Sequence, residues 1–190
     1  MRKLTITSVL ALGLAACGGD TADRTPPAAQ PEAPAAPAAP AELSVPAWMT
    51  VDEAARAVTM TIVAGQSSAN NYWNFNGNFG GTGGITVPEG YTVTINLENR
   101  DPAMAHSLGI GERQATYPNQ FPEVVPVFEG AVTESPRSMT ESTLPGETET
   151  ITFVVSRAGD FAIICYVTGH AATGMWLPFT VSTDGSVGAF

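Results

Sequence analysis

The sequence is poor in positive charge, histidine and cysteine. Its 190 residues contain 8 Lys and Arg against 18 Asp and Glu, with 2 His and 2 Cys. The formal net charge of -10 argues against a nucleic-acid partner, because affinity for phosphates comes from clustered Lys and Arg. Two cysteines are too few for a four-cysteine zinc site or a cubane iron–sulfur cluster. We therefore expect no metal site that needs many soft ligands.

Long apolar runs are also missing, apart from one short stretch at the start of the chain. Arg2 and Lys3 precede an apolar run over residues 4–14, which is about half the length that spans a bilayer. A basic start, a short apolar run and small residues at the cut site predict a secretory signal. We expect residues 1–16 to be a signal peptide, and the protein to be exported to the periplasmic or cell-surface side of a bacterial membrane.

The cut region, Leu-Ala-Ala-Cys-Gly over residues 14–18, resembles the lipobox of bacterial lipoproteins. In that family the cysteine receives a diacylglyceryl group and becomes the mature N-terminus, which implies lipidation of Cys17. The alternative is an ordinary signal peptide with an incidental cysteine. Without residues 1–16 the chain keeps 6 Arg against 18 Asp and Glu, a formal charge of -12. A lipid on Cys17 would be the only attachment to the membrane.

Residues 17–46 have the composition of a linker. Between residues 26 and 41 there are six Pro and eight Ala, with only one Gln and one Glu besides. Such a segment has no apolar face to bury, so it should stay extended and solvated. We expect a disordered tether that holds the following domain near the membrane. A spacer without a functional length is an equal alternative.

From residue 47 to 190 the pattern predicts an all-β domain. Val93, Ile95 and Leu97 alternate with polar residues, and residues 151–155 repeat the pattern, so one face of each strand should be buried. Predicted strands cover residues 58–64, 84–87, 91–98, 106–111, 149–156, 161–166 and 175–182. Glycine and proline turns separate them, which favours an antiparallel sandwich or barrel. A brief helical turn is compatible with residues 51–56. The long connection 112–143 should cover one side of the sandwich, and its length is compatible with either a lid or a decorated loop.

Four residues in the C-terminal half of the chain have side chains that can bind a metal ion. Cys165, His170 and Met175 follow one another at intervals of five, and His106 starts a predicted strand. Two imidazoles, a thiolate and a thioether form the ligand set of a blue copper centre. Each residue alone has a plainer explanation: a buried thiol, a loop or strand-edge histidine, a core methionine. Together they include both histidines and the one cysteine outside the predicted lipobox, which favours the metal site.

The order His, Cys-x4-His-x4-Met resembles the cupredoxins, in particular the sulfocyanin and rusticyanin group of small blue copper proteins. Residues 72–77 (Tyr-Trp-Asn-Phe-Asn-Gly) and 87–91 (Val-Pro-Glu-Gly-Tyr) strengthen the resemblance to sulfocyanins. The resemblance covers residues 47–182. It implies a Greek-key β-sandwich that holds one type 1 copper ion, and the ligands that it implies are His106, Cys165, His170 and Met175.

The resemblance also implies roles for neighbouring residues. The residue after the first histidine ties the ligand loop to its neighbour in this family, and here it is Ser107; a surface strand hydroxyl is the alternative. Trp176 is expected to pack in the core beside the metal. In related cupredoxins the loop histidine is partly exposed and electrons enter through it. That implies an exposed edge for His170, within a rim of small residues.

The function implied is transfer of single electrons through Cu(II) and Cu(I). Redox partners would be proteins such as a c-type cytochrome or a terminal oxidase, and the carrier would be a monomer. The alternative is a lipoprotein that stores or delivers copper with the same ligands. We do not expect an enzyme, because a multicopper oxidase or copper nitrite reductase needs further histidines. A dinuclear copper centre is not expected either, since it needs two bridging cysteines.

Overall fold

The computed structural model describes residues 42–190 of the chain. The predicted signal peptide, the lipidation of Cys17 and the tether up to residue 41 lie outside the described residues. Ser44 is already paired with Ala189 through two backbone hydrogen bonds of 3.0 and 2.8 Å. Ser44 therefore pairs with the last strand of the fold although it precedes residue 47, where the sequence predicts the domain to begin.

The described residues form nine strands and two short 3-10 segments. The strands are β1 (Met49–Asp52), β2 (Ala57–Ala64), β3 (Ile85–Pro88), β4 (Thr92–Asn99), β5 (Gly109–Glu112), β6 (Thr148–Val154), β7 (Gly159–Ile164), β8 (Trp176–Ser182) and β9 (Gly188–Ala189). The 3-10 segments are Ala69–Tyr72 and Ala171–Thr173. The all-β prediction is therefore confirmed.

Two sheets pack face to face. One has the strand order β1-β2-β4-β6, and the other β5-β7-β8-β3-β9. Most neighbours are antiparallel, but β2 with β4 and β3 with β8 run parallel. The sequence prediction of an antiparallel sandwich or barrel did not include these two parallel pairs. Between β2 and β4 the chain forms β3 in the other sheet, and this crossover connection joins β2 and β4 as parallel neighbours.

The core lies between the sheets, as the alternation predicts. Val93, Ile95 and Leu97 of β4 are buried, and so are Ile151 and Phe153 of β6. The intervening side chains on β6 are exposed. Burying each large apolar side chain stabilises the fold by about 1.5–3 kcal/mol relative to leaving it in water. The inner faces therefore hold the two sheets together.

The start of the domain differs from the sequence prediction. Residues 51–56 form no helical turn, because β1 runs to Asp52 and pairs with β2. The Asp52 carboxylate accepts a hydrogen bond of 2.9 Å from the Ala55 N–H, which closes the turn between the two strands. The predicted strand at 106–111 begins only at Gly109, and His106 makes an isolated bridge instead.

The connection between β5 and β6 covers the outer face of the five-stranded sheet, as predicted. Tyr117 and Phe121 pack there with Ile164 and Tyr166 in a second apolar cluster. The same connection also sends Phe128 into the main core, where its ring lies 5.2 Å from that of Phe161. The connection is therefore part of the packed structure and not a detached lid.

Within residues 42–190, no helix has the length and apolar character that crossing a membrane would require.

Replacing Phe128 by Ala tests the structural role of the connection. We expect Phe128→Ala to lower the free energy of unfolding by about 3–5 kcal/mol, because it leaves a large cavity among buried rings. Urea denaturation of the domain measures this loss. Val125→Ala is the matched control, because Val125 belongs to the same connection but is 69% exposed. A loss below about 1 kcal/mol for Phe128→Ala would show that the connection is not part of the core.

Candidate metal centre

His106, Cys165 and His170 bring their side chains together inside the sandwich. The Sγ of Cys165 lies 3.4 Å from Nδ1 of His170 and 3.9 Å from Nδ1 of His106. The two Nδ1 atoms are 3.2 Å apart. All three residues are 0% exposed. Two donors from one loop and a third from about 60 residues earlier in the chain therefore form one compact buried triangle.

The loop after β7 carries two of these donors. Cys165 directly follows the last residue of β7, and His170 precedes the 3-10 turn Ala171–Thr173. Gly169 and Gly174 have φ of 87° and 106°, a region that is strained for other residues. These two glycines let the loop turn back within a few residues. The loop is therefore short, and its donors have little freedom to separate.

Met175 closes the loop at the start of β8. Its carbonyl accepts a hydrogen bond of 3.1 Å from the Cys165 N–H, and its own N–H donates to the His170 carbonyl at 2.9 Å. The Met175 side chain is completely buried and belongs to the same apolar cluster as Cys165. The backbone thus binds Met175 to both loop donors.

His106 is held by the end of the long connection. Its backbone exchanges two hydrogen bonds with Thr143, of 3.0 and 3.1 Å. The Ser142 hydroxyl donates to the His106 carbonyl at 2.8 Å. The connection also supports the other histidine, because the Gly169 N–H donates to the Asn119 carbonyl at 2.7 Å. One segment therefore fixes the backbone beside both imidazoles.

Asp101 orients the His106 ring from its outer side. The Nε2 of His106 lies 2.8 Å from Oδ2 of Asp101, and both side chains are almost fully buried. The other oxygen, Oδ1, accepts hydrogen bonds of 2.8 and 3.0 Å from the N–H groups of Ala103 and Met104. A carboxylate at Nε2 favours the tautomer that carries its proton there, which leaves the Nδ1 lone pair facing the site.

Ser107 lies against the cysteine sulfur. Its backbone N–H and its hydroxyl are 3.4 and 3.7 Å from Sγ of Cys165. The same hydroxyl accepts a hydrogen bond of 2.8 Å from the Tyr166 N–H. Ser107 therefore connects the segment that carries His106 to the strand that leads to Cys165. Hydrogen bonds to a ligating sulfur also tune the redox potential of a bound metal.

Burial keeps the donor groups neutral in the metal-free protein. It raises the pKa of Cys165 to about 11, against smaller lowering effects from hydrogen bonds of Ser107 and Val167. Burial, with the nearby His106, lowers the pKa of His170 to about 3. Burial also lowers the pKa of His106, although Asp101 opposes this. Both imidazoles are therefore neutral at pH 7, and a metal would displace the thiol proton.

Asp101 remains ionised although it is buried. Burial acts to raise its pKa, but hydrogen bonds from Ala103, His106 and Met104 together hold the pKa below its usual value. The contact with His106 is therefore a hydrogen bond from a neutral imidazole to a carboxylate, not a pair of full charges.

The triangle has the right size for one transition-metal ion. Bonds of about 2.0 Å to nitrogen and about 2.3 Å to sulfur place donors of one ion roughly 3–4 Å apart. The three separations here span 3.2–3.9 Å. In addition, Nε2 of His170 is buried and has no hydrogen-bond partner among the described residues, so no polar contact turns this ring away from the site. Two imidazoles, a thiol and a buried methionine are the donors of a type 1 copper centre.

A Greek-key sandwich with this donor set defines the cupredoxins, the class of small blue copper proteins, whose cofactor is one copper ion. Within that class, the chain belongs to the sulfocyanin family. The family model described as "Sulfocyanin (SoxE) domain" matches residues 46–189, which is most of the chain. The resemblance seen in the sequence is thereby confirmed.

Three known proteins illustrate what this chain is similar to in sequence or structure. A sulfocyanin from Sulfolobus acidocaldarius is 31% identical over 134 residues, which cover 68% of this chain. The match spans 65% of the length of that curated relative. The reduced auracyanin of Roseiflexus castenholzii is 24% identical over 65% of this chain and 96% of its own, with a TM-score of 0.45. A rusticyanin from Thiobacillus ferrooxidans is 22% identical over 67% and 82%, also with a TM-score of 0.45.

The structure corrects the expected exposure of His170. Its side chain is 0% exposed, so it has no edge at the surface. The indole of Trp73 stacks on it, with ring centroids 4.1 Å apart and an interplanar angle of 20°. The sequence pattern alone does not predict that Trp73 covers a donor. The resemblance of residues 72–77 to sulfocyanins was the available signal.

The structure places the Trp176 and Asp101 side chains where the sequence alone does not predict them. The expectation that Trp176 packs in the core beside the metal is wrong. Trp176 follows Met175, but it packs with Tyr117 on the outer face of the sheet, because neighbouring residues of a strand point to opposite faces. Asp101 was not singled out in the sequence. An aspartate followed by proline shortly before His106 signals a turn, but only the fold shows that the carboxylate contacts the ring.

Replacing Asp101 tests its hold on His106. We expect Asp101→Asn to weaken copper binding by about 10–100-fold, because the amide leaves the imidazole less firmly oriented and less basic. Competition with a chelator of known affinity measures the change. Asp160→Asn is the matched control, since the exposed Asp160 also accepts a hydrogen bond, from Thr180, far along β7. Equal copper affinities for the two variants would show that Asp101 does not position the ligand.

Proposed function

We propose that the protein is a one-electron carrier whose copper is bound by His106, Cys165, His170 and Met175. The observation that supports it is the buried triangle of His106, Cys165 and His170 donors within 4.8 Å of one another, beside a buried methionine. Bound there, copper would alternate between Cu(II) and Cu(I). The protein's part is to hold the donors in place and to keep water out.

Several contacts suit the site to electron transfer. Backbone hydrogen bonds join Met175 to Cys165 and to His170. Further hydrogen bonds join His106 to Thr143 and Asp101. A ligand set fixed in this way limits rearrangement when the charge of the metal changes. Cys165 and Met175 belong to the main apolar core, which excludes water, so few solvent dipoles have to reorient. Both effects reduce the barrier to transfer of an electron.

The same burial speaks against the alternative of copper delivery. A site that hands copper to another protein needs donors that an incoming ligand can reach, but these side chains are fully buried. We also propose a carrier and not an enzyme. Both histidines of the chain belong to the cluster, so no further imidazole remains for a second, catalytic copper.

The redox partners in this proposal are proteins such as a c-type cytochrome or a terminal oxidase. The chain has 18 acidic residues against 8 basic ones, which would attract a basic partner over long range in a salt-dependent way. Contacts of this kind between redox proteins are small and short-lived.

We propose in addition that the protein is exported and held at a bacterial membrane by a lipid on Cys17. The basic start, the short apolar run over residues 4–14 and the Leu-Ala-Ala-Cys-Gly stretch support this proposal. The Ala- and Pro-rich residues that follow would let the copper domain reach partners some distance from the membrane.

Spectroscopy of the copper-loaded protein tests the carrier proposal. We expect an intense visible band from thiolate-to-copper charge transfer, narrow copper hyperfine splitting in EPR, and a reversible one-electron wave in voltammetry. Cys165→Ala should abolish the visible band, because the thiolate is its source. Met60→Leu is the control, since Met60 is equally buried but lies on β2 in the opposite sheet.

A colourless protein with the EPR signal of tetragonal copper, unchanged in Cys165→Ala, would refute the carrier. Rapid loss of copper to a Cu(I) chelator would instead favour delivery.

Cell fractionation tests the lipid anchor. In a bacterial host, the full-length chain should be recovered with membranes and should incorporate labelled fatty acid. We expect Cys17→Ala to lose the label and to leave the membrane fraction. Cys165→Ala is the control and should remain membrane-bound, because it changes the other cysteine. If Cys17→Ala stays with the membrane and keeps its label, the anchor lies elsewhere.

A further inference from the structure

The burial of the copper site restricts how an electron can reach it. The side chains of His106, Cys165, His170 and Met175 are all 0% exposed. A redox partner therefore cannot touch any proposed ligand directly. A group that contacts a ligand and also reaches the surface would shorten the distance for tunnelling. Trp73 is such a group, because its ring lies 4.1 Å from that of His170 and is only partly buried.

The chain before Trp73 is strained in a way that fixes its position. Asn70, Asn71 and Tyr72 have φ of 49°, 57° and 65°, in the left-handed region. Asn adopts this conformation more readily than other L-residues, but for Tyr72 it costs about 1–2 kcal/mol, and three such residues in succession are unusual. Strain of this kind persists only where the surrounding structure enforces it, and it is concentrated at functional sites.

A network of asparagine side chains enforces this conformation. Asn74 is fully buried, and its amide donates hydrogen bonds of 2.8 Å to the carbonyls of both Ser67 and Ala69. The Asn70 amide donates to the Trp73 carbonyl, also at 2.8 Å. The segment is therefore tied on both sides of the indole, and Trp73 is held firmly over His170.

The two segments that meet at this stack carry no formal charge. Residues 57–88 contain no Asp, Glu, Lys or Arg, and neither do residues 161–183. The segments are joined by a hydrogen bond of 2.7 Å from the Gly80 N–H to the Gly174 carbonyl. In a chain with a formal charge of -10, these segments supply an uncharged surface around Trp73. Such a surface permits close contact without desolvating a charge.

We propose that electrons enter and leave the protein through the exposed edge of Trp73. This inference rests on the proposed carrier function. Trp73 positions the partner and acts through His170. A partner that docks on the Trp73 ring contacts a group that itself stacks on the proposed ligand His170. In each transfer the partner loses one electron and Cu(II) becomes Cu(I), or the reverse. No bond or proton changes, and Trp73 itself is neither oxidised nor reduced.

A charge placed beside Trp73 tests the location. Asn71 is exposed and lies two residues before Trp73, and Asp tolerates its left-handed backbone. Reduced Asn71→Asp protein is oxidised with hexacyanoferrate(III), an anion, and with tris(phenanthroline)cobalt(III), a cation. At low ionic strength we expect the first rate to fall and the second to rise, each by about two- to five-fold. Both changes should disappear in high salt.

Val154→Asp is the matched control, because Val154 is 51% exposed on β6 of the other sheet. The visible spectrum and the reduction potential of both variants should match the wild type. A change of opposite sign with the two oxidants cannot come from a structural disturbance. If Asn71→Asp behaves like Val154→Asp with both reagents, the inference is wrong. In that case a blue wild type with a one-electron wave leaves the carrier proposal intact.

Chemical labelling of the metal-free protein tests directly whether Trp73 shields His170 from solvent. Diethyl pyrocarbonate modifies neutral imidazoles that it can reach, and the chain has only two histidines. We expect His170 to be protected in the wild type and in Trp73→Phe, and to react in Trp73→Ala. Trp48→Ala, at a partly buried tryptophan on the other sheet's edge, is the control and should stay protected. Equal labelling of His170 in the wild type and Trp73→Ala would refute the inference.

Discussion

The hydrogen bond from the Cys165 N–H to the Met175 carbonyl holds the site together. It continues the pairing of β7 with β8 by one residue and closes the loop between the two sulfur-containing side chains. His170 lies inside that closed loop, and its side chain is not exposed to solvent. Its position therefore follows from the closure of the loop. Only His106 must then be brought from elsewhere in the chain, and the segment between β4 and β5 carries it across from the other sheet.

Burial is the second constraint on this centre. A thiol and two imidazoles placed in an apolar core remain neutral, because desolvation penalises their charged forms. Burial raises the pKa of Cys165 and lowers the pKa of both histidines. The donors are therefore ready for a cation without prior deprotonation of the imidazoles. Asp101, the one buried carboxylate in residues 42–190, accepts three hydrogen bonds and lies on the side of His106 away from the triangle.

Two irregular segments, the connection between β5 and β6 and the asparagine-rich residues 70–78, hold the candidate ligands from outside the sheets. The connection between β5 and β6 binds the backbone at His106 and at Gly169, and the asparagine-rich segment holds Trp73 on His170. Neither segment has regular secondary structure of any length, yet both are tied down by hydrogen bonds to buried groups. The regular strands place the donors, and these segments decide how closely the donors are held and how they meet the surface.

The sequence by itself determined the all-β class, the alternation of buried residues in β4 and β6, and the four candidate ligands. Period-two patterns and ligand spacing are local, so they can be read without the fold. The parallel pairs, the burial of His170, the Trp73 stack and the Asp101 contact were decided only by the tertiary structure. Each joins residues from different segments, and whether such side chains meet depends on how the sheets and loops pack.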